Sequence, residues 1–315
     1  MSWIPFWPDT ASNTAVTVNT LAIGLFAVSA FICLVVYALI LLFAFRYRRG
    51  GSADRSHRVK KSWHWEIGWT SATLIAFLVL FVWGAGAYLW LYQPPANAGD
   101  EIYVVGKQWM WKVEHPGGQR EIDALHVPLG RPIRLVLTSQ DVIHSFFIPD
   151  FRIKHDVLPG QYETMWFTAT KKGEFRIECT QFCGTQHAEM GGWVTVMDPA
   201  DYQRWLNDQG AEPDLARQGE ALFRQLGCSG CHGANSTVHA PSLAGIYGKP
   251  VQLEGGRSEI VDDRYIHDCI MLPRTERVAG YPPIMPTFAG QIGEEDVLKL
   301  VAYIKSLGNP ASAAR

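Results

Sequence analysis

Within the stretch Cys179-Thr180-Gln181-Phe182-Cys183-Gly184-Thr185-Gln186-His187-Ala188-Glu189-Met190 the chain places two thiols, an imidazole and a thioether. Thiolate and thioether are soft ligands that suit copper, and imidazole suits it too. A second imidazole, His144, lies upstream in Val142-Ile143-His144-Ser145-Phe146-Phe147-Ile148-Pro149. A blue-copper ion takes two His, one Cys and a weak axial Met. Two Cys, two His and one Met are more donors than that site uses. Two coppers sharing both thiolates would use all five. A Cys179–Cys183 disulfide in an oxidising compartment is the competing reading, and it leaves the spacing of His187 and Met190 unexplained.

A second constellation follows at Cys228-Ser229-Gly230-Cys231-His232. Cys-x-x-Cys-His is the attachment sequence for c-type haem, with two thioether links and an adjacent axial His. Half of a zinc site or a redox dithiol competes, but a zinc site built on Cys pairs wants a second pair, and none follows. The distal iron ligand would be a later Met or His. The candidates are His239, His267, Met271 and Met285. Met285 stands in Pro282-Pro283-Ile284-Met285-Pro286-Thr287-Phe288, just before a predicted helix over 294–307. Met271 reads as core and His267 as a surface helix residue. Met/His ligation raises the iron potential, which suits a donor to copper. Cys269 takes no role from its spacing.

These side chains need elements to hold them. Gly173-Glu174-Phe175-Arg176-Ile177-Glu178 alternates as a strand and leads into Cys179. Further short strands are predicted over 102–113, 133–138, 142–148, 161–168 and 192–197. Turn signals separate them at Pro116-Gly117-Gly118, Pro128-Leu129-Gly130 and Pro159-Gly160. This pattern predicts an antiparallel sandwich or barrel. Beyond a linker, Leu215, Leu222, Phe223 and Leu226 have helical spacing and lead to Cys228.

The N-terminal third is different. Residues 21–45 and 67–92 contain no charged side chain. Each run exceeds the ~20 residues that cross ~30 Å of hydrocarbon as a helix. Trp63, Trp65 and Trp69 at one end of the second run, and Trp90 and Tyr92 at the other, fit interfacial belts. Between the runs, Arg46, Arg48, Arg49, Arg55, Arg58, Lys60 and Lys61 stand against Asp54 alone. That basic segment is expected in the cytoplasm, with both chain ends on the other side. No basic segment precedes the first run, which argues against a cleaved leader. Cys33 reads as a small apolar filler. A formal charge of -2 gives no case for nucleic acid.

Cys-x3-Cys-x3-His-x2-Met with an upstream His resembles the dinuclear copper A site of cytochrome c oxidase subunit II. The likeness extends from the first span to Trp205. It implies that Cys179 and Cys183 bridge two coppers, that His144, His187 and Met190 ligate them, and that the backbone carbonyl of Gln181 completes the set. Gln108-Trp109-Met110-Trp111 matches a Trp-rich stretch of the family, which implies electron uptake at Trp109, with Trp111 as the alternative. Two Trp at i, i+2 on one strand face also fit plain core packing. Glu66 opens the second span, and the resemblance places it near the entrance of a proton channel in subunit I; an interfacial carboxylate is the plainer reading. Lys154-His155-Asp156-Val157-Leu158-Pro159-Gly160 resembles a segment that lies near subunit I. His155, a lone His in a polar loop, is given no metal role. The Pro-flanked Met285 resembles the Met loop of class I cytochromes c. At Gln181 the chain departs from the family, where Glu reaches a magnesium ion; that magnesium site is expected to be missing here.

The resulting expectation is a multidomain membrane protein. Residues 1–95 would form a tail and a two-helix transmembrane hairpin, 96–205 an all-β cupredoxin Greek key, and 206–315 a linker and an all-α class I cytochrome c domain. The cofactors would be dinuclear copper A and one covalently bound haem c. Electrons would pass from haem to copper and on to haem a of subunit I, for oxygen reduction coupled to proton pumping. The chain lacks the His-rich helices of an oxygen-reducing site, so it would act as a subunit. Expected partners are subunit I, subunit III, membrane lipid and a donor cytochrome or quinol-oxidising complex. The expected place is a bacterial cytoplasmic (inner) membrane, with both redox domains on the periplasmic or extracellular side. The small subunit of a copper A nitric oxide reductase and a membrane-anchored electron-carrier cytochrome are the alternatives.

Overall fold

The computed structural model describes residues 7–54, 62–95, 99, 101–209, 215–233 and 236–308. Arg55, Arg58, Lys60 and Lys61 of the basic linker lie outside them, as do the linker residues 96–98 and 210–214. Two long helices come first, α1 (Asn13–Arg46) and α2 (Trp63–Tyr92). At ~1.5 Å per residue, each is longer than the ~30 Å hydrocarbon core. Their large apolar side chains, among them Phe26, Leu34, Phe77 and Val82, are exposed. A helix that is apolar all round finds its partner in lipid rather than in water. Both helices meet the length and composition of a membrane span.

A β-sandwich follows, built from β1 (Glu101–Lys107), β2 (Met110–Glu114), β3 (Arg120–Ile122), β4 (Ala124–Pro128), β5 (Pro132–Ser139), β6 (His144–Ile148), β7 (Ile153–Val157), β8 (Glu163–Thr168), β9 (Gly173–Cys179) and β10 (Gly191–Met197). The sheets are ordered β3-β2-β1-β5-β8 and β4-β10-β9-β6-β7. The pairs β1–β5 and β4–β10 are parallel and the other pairings within the two sheets antiparallel, so crossovers connect the sheets. Alternate residues point inward. Ile102, Val104, Trp111, Leu125, Leu135, Phe146 and Ile177 fill the space between the layers together with Cys179, Cys183 and Met190.

Three expectations change here. The predicted single strand over 102–113 is a hairpin. Gly106 pairs with Trp111 and Lys107 with Met110, which leaves Gln108 and Trp109 as a two-residue loop. Trp109 and Trp111 therefore do not share a strand face. Second, Lys154-His155-Asp156 is not a loop but the middle of β7, paired with β6. An edge strand turns polar groups to solvent, and that polarity hid it. Third, β3 and β4 were not foreseen; β3 has only three residues.

The tail before α1 is stitched to the sandwich. Ala11 donates its N–H to the carbonyl of Asp150 at 3.0 Å, and Thr170 N–H reaches the carbonyl of Ala11 at 2.8 Å. Ser12 Oγ donates to the carbonyl of Phe151, and Arg152 donates to the carbonyls of Pro8 and Asp9.

The C-terminal part holds α3 (Pro199–Asp208), α4 (Leu215–Gln225), α5 (Ser229–His232), a hairpin of β11 (Pro250–Gln252) and β12 (Ser258–Ile260), α6 (Asp263–Met271) and α7 (Glu294–Ser306). The hairpin is an addition to the helical domain read from the sequence. Phe223 of α4 packs on Tyr303 of α7 with ring centroids 5.2 Å apart. Asp262 caps α6 by accepting the N–H of Tyr265 at 2.8 Å. His267 is not on the surface as expected: it is 4% exposed, with Nδ1 2.9 Å from Asp268 and Nε2 3.3 Å from Glu294.

Candidate metal centres

The loop after β9 brings its donors to one point. Cys179 Sγ and Cys183 Sγ are 3.8 Å apart, far beyond the ~2.05 Å of a disulfide. His187 Nδ1 lies 3.5 Å, and Met190 Sδ 3.7 Å, from Cys183 Sγ. The carbonyl oxygen of Gln181 is 3.3 Å from Cys179 Sγ, while its side chain is exposed. From β6, His144 joins Cys179 and Cys183, with ligand atoms of all three within 4.8 Å of one another. His144 is fully buried. Its Nε2 lies 2.9 Å from Asp141 Oδ1, and its Nδ1 has no hydrogen-bond partner among the described residues.

The thiols differ in acidity. Burial raises the Cys179 pKa, but the neighbouring His144 imidazole and the backbone of Ser145 outweigh it, and the net shift is downward. Burial and the charge of Cys179 push Cys183 up. One thiolate forms readily, and the second needs positive charge beside it. A buried imidazole nitrogen without a partner and two thiols that resist joint ionisation fit a site for copper cations.

The surrounding loops are fixed by groups the sequence reading passed over. Asp141 accepts the N–H of Gln108 at 2.8 Å while holding His144. Burial raises its pKa, but these contacts win and lower it. Gln108 Nε2 donates to the carbonyl of Cys183 at 2.8 Å. Gly184 has φ +122, and a Cβ there would fall 3.1 Å from the Trp109 ring. Only glycine combines that backbone with so close a neighbour. Trp111 is fully buried and presents its edge to His144, ring centroids 5.8 Å apart. The one signal for Asp141 was an acid three residues before His144, which is too common to read.

The second centre is a cavity of about 240 Å³ lined by Cys228, Cys231, His232, His239 and Met285 together with apolar side chains of α4, α6 and α7. Of the four distal candidates, His239 and Met285 line it; His267 and Met271 do not. His232 Nδ1 lies 2.9 Å from the carbonyl of Pro241. Tyr265 Oη, on the cavity wall, is buried with no hydrogen-bond partner among the described residues. Cys269 also lines the cavity, its thiol pushed up to about 11 by burial. Glu66 stands apart in the first turn of α2, bonded to Ser62 Oγ.

Residues 118–197 match the family described as cytochrome C oxidase subunit II, periplasmic domain, and residues 216–308 match cytochrome c. The chain carries a subunit II periplasmic domain and a cytochrome c domain. Among its relatives is the cytochrome c oxidase subunit 2 of Alkalihalophilus pseudofirmus, 28% identical over 294 residues that cover 89% of this chain and 84% of that protein. The alternative cytochrome c oxidase subunit 2 of Bradyrhizobium diazoefficiens is 27% identical over 238 residues, 65% of this chain and 84% of that one. The probable cytochrome c oxidase subunit 2 of Streptomyces avermitilis is 37% identical over 133 residues, 42% of this chain and 39% of that one. An electron-transfer role, with copper and haem binding, follows from the two families.

Proposed function

We propose that the chain is the electron-receiving subunit of a terminal cytochrome c oxidase. His144, Cys179, the carbonyl of Gln181, Cys183, His187 and Met190 would hold a dinuclear copper A. Cys228 and Cys231 would bind one haem c covalently, with His232 and Met285 at its iron. When bound, these groups supply one-electron redox chemistry, and the protein supplies placement and a dry surround. The observation that carries the reading is the convergence of two thiols 3.8 Å apart with two imidazoles and a thioether. A single copper would leave donors unused.

The rest of the chain supports this role. The hydrogen bond of His232 Nδ1 to Pro241 leaves Nε2 as the free ligand atom. Trp109, packed beside Gly184, is the proposed inlet from an external donor, with Trp111 as the alternative. The partners would be subunit I, subunit III and a donor cytochrome or quinol-oxidising complex. Electrons would leave toward haem a of subunit I, and Glu66 would stand at a proton entrance there. The tail at 8–12 binds the same sandwich that follows α2, so the chain crosses the membrane an even number of times between them. Together with the basic linker this supports a bacterial inner membrane location with both redox domains in the periplasm.

A metal and haem count on the purified full chain tests the reading. Two coppers and one covalent haem per chain are expected, with a subunit I co-purifying from native membranes. One copper, or zinc in its place, would overturn it.

A further inference from the structure

Strand β1 is buried on both faces. Ile102 and Val104 point into the copper-side core. Tyr103 and Val105, with Val136 of β5 and Tyr162 just before β8, join a second buried cluster that takes in residues of α6 and α7, among them Val297 and Val301. The cytochrome c domain therefore sits on the outer face of this sheet. Helices α6 and α7 form a wall with two faces. Ile266, Ile270, Leu300 and Ile304 line the haem cavity. On the same helices, His267 meets Tyr162 edge to face at 5.3 Å, and Glu295 pairs with Lys112 of β2. On its other side β1 reaches His144 of β6: a Cβ on Gly106 would fall 2.9 Å from its ring.

Besides the Lys112–Glu295 pair, Lys305 crosses this interface. Lys305 Nζ of α7 lies 2.6 Å from Glu101 Oε2 of β1 and 3.1 Å from Asp263 of α6. It stands 4.9 Å from the centre of the Tyr247 ring. Tyr103 Oη donates to Glu101 at 3.0 Å, and Arg134 reaches the other oxygen of Glu101 at 3.3 Å. Asp263 is almost fully buried. Without Lys305, two carboxylates from two domains would face each other with little water between, and unpaired buried charge is strongly unfavourable.

We propose that Lys305 is a positioning residue that seats the cytochrome c domain on β1, so that one helix layer and one strand separate the two cofactor sites. The proposal rests on the copper and haem assignment above. It assigns the electron path within the chain to β1, ending at Gly106 and His144. Trp109 belongs to neither the second cluster nor this ion pair, and stays available to an external donor.

The experiment uses the full chain in detergent, as Lys305→Met, Glu101→Gln, Lys305→Arg and the control Arg224→Gln, whose exposed pair with Glu220 lies within α4. Hydroxyl-radical footprinting reads Tyr103 and Tyr162, which are nearly buried, and needs no cofactor. Lys305→Met should raise their oxidation about tenfold, Glu101→Gln less, and the Arg variant and the control little. In the loaded protein, flash reduction of haem should give electron transfer to copper slowed about tenfold by Lys305→Met and rescued by Lys305→Arg, with haem potential and spectrum unchanged. Unchanged footprints in both the Lys305 and Glu101 variants, or opened footprints with an unchanged transfer rate, overturn the proposal. A chain that binds neither copper nor haem overturns the underlying assignment instead, and the electron path with it, while the footprints still report on the seat.

Discussion

His232 Nδ1 lies 2.9 Å from the carbonyl oxygen of Pro241. A ring nitrogen that donates there fixes the tautomer and leaves Nε2 with its lone pair. The imidazole of the Cys-x-x-Cys-His sequence is thus preorganised, and Met285 and His239 line the same cavity.

Met285→Ala is expected to keep haem attached through Cys228 and Cys231, to lower its potential and to open the iron to added ligands. Met271→Ala should do neither, because Met271 does not line the cavity. Redox titration with carbon monoxide binding on both variants checks this. A lowered potential in His239→Ala instead would move the ligand to His239.

Asp141→Asn should weaken copper binding by about tenfold or more, since a group that orients a metal-binding imidazole typically contributes that much. The loop of Gln108 and Trp109 loses a charged acceptor in the same variant. Competition with a chelator of known affinity gives the measurement. Equal affinity in variant and wild type would mean that Trp111 and β6 alone hold His144.

Gln181→Glu should leave the copper absorption and electron-spin spectra nearly unchanged. The carbonyl faces Cys179 while the side chain points to solvent, and a backbone ligand does not depend on side-chain identity. Magnesium favours carboxylate and water oxygens, so manganese supplied as its reporter should bind only in the Glu variant. A manganese signal in the native chain that vanishes in Gln181→Ala would show the amide oxygen to be a ligand.

Glu121 should make the sandwich acid-sensitive. It lies between His115 Nε2 at 2.7 Å and His126 Nδ1 at 2.5 Å. Burial raises its pKa, but the two imidazole hydrogen bonds outweigh that and bring it down to about 2. A depressed carboxylate stabilises the fold fully above its unfolded pKa near 4.5, and the contribution is lost as pH falls toward about 2. The loss amounts to about 3 kcal/mol at most. Denaturant melts of wild type and Glu121→Gln between pH 5 and pH 2 test it, and parallel slopes would remove Glu121 as the cause.

Much of the copper site was legible because its donors crowd one loop, where spacing alone brings them together. His144 was legible only as an upstream imidazole; its placement depends on β6 lying next to β9. Gln108 and Pro241 were not legible, because their contacts run through backbone carbonyls that have no residue signature, and Asp141 was not, because an acid three residues before a His is too common. The same cause explains the missed hairpin at Gln108 and Trp109, whose loop lacks the Asn-Gly or Gly-Gly signal of such turns. His267 misled because a polar residue on an amphipathic helix reads as solvent-facing, whereas the sandwich covers that side. A domain seated on another domain changes which helix face counts as outside.

The stitched tail also constrains how the protein is made. Ser12 bonds to Phe151, 139 residues later. The tail is synthesised first, and it has to cross the membrane long before its partner exists. It then waits outside as an unpaired segment until α2 has inserted and the sandwich strands have been exported. That closing contact is non-local and slow to form by chain search, yet the membrane shortens the search by returning the chain to the side where the tail already lies.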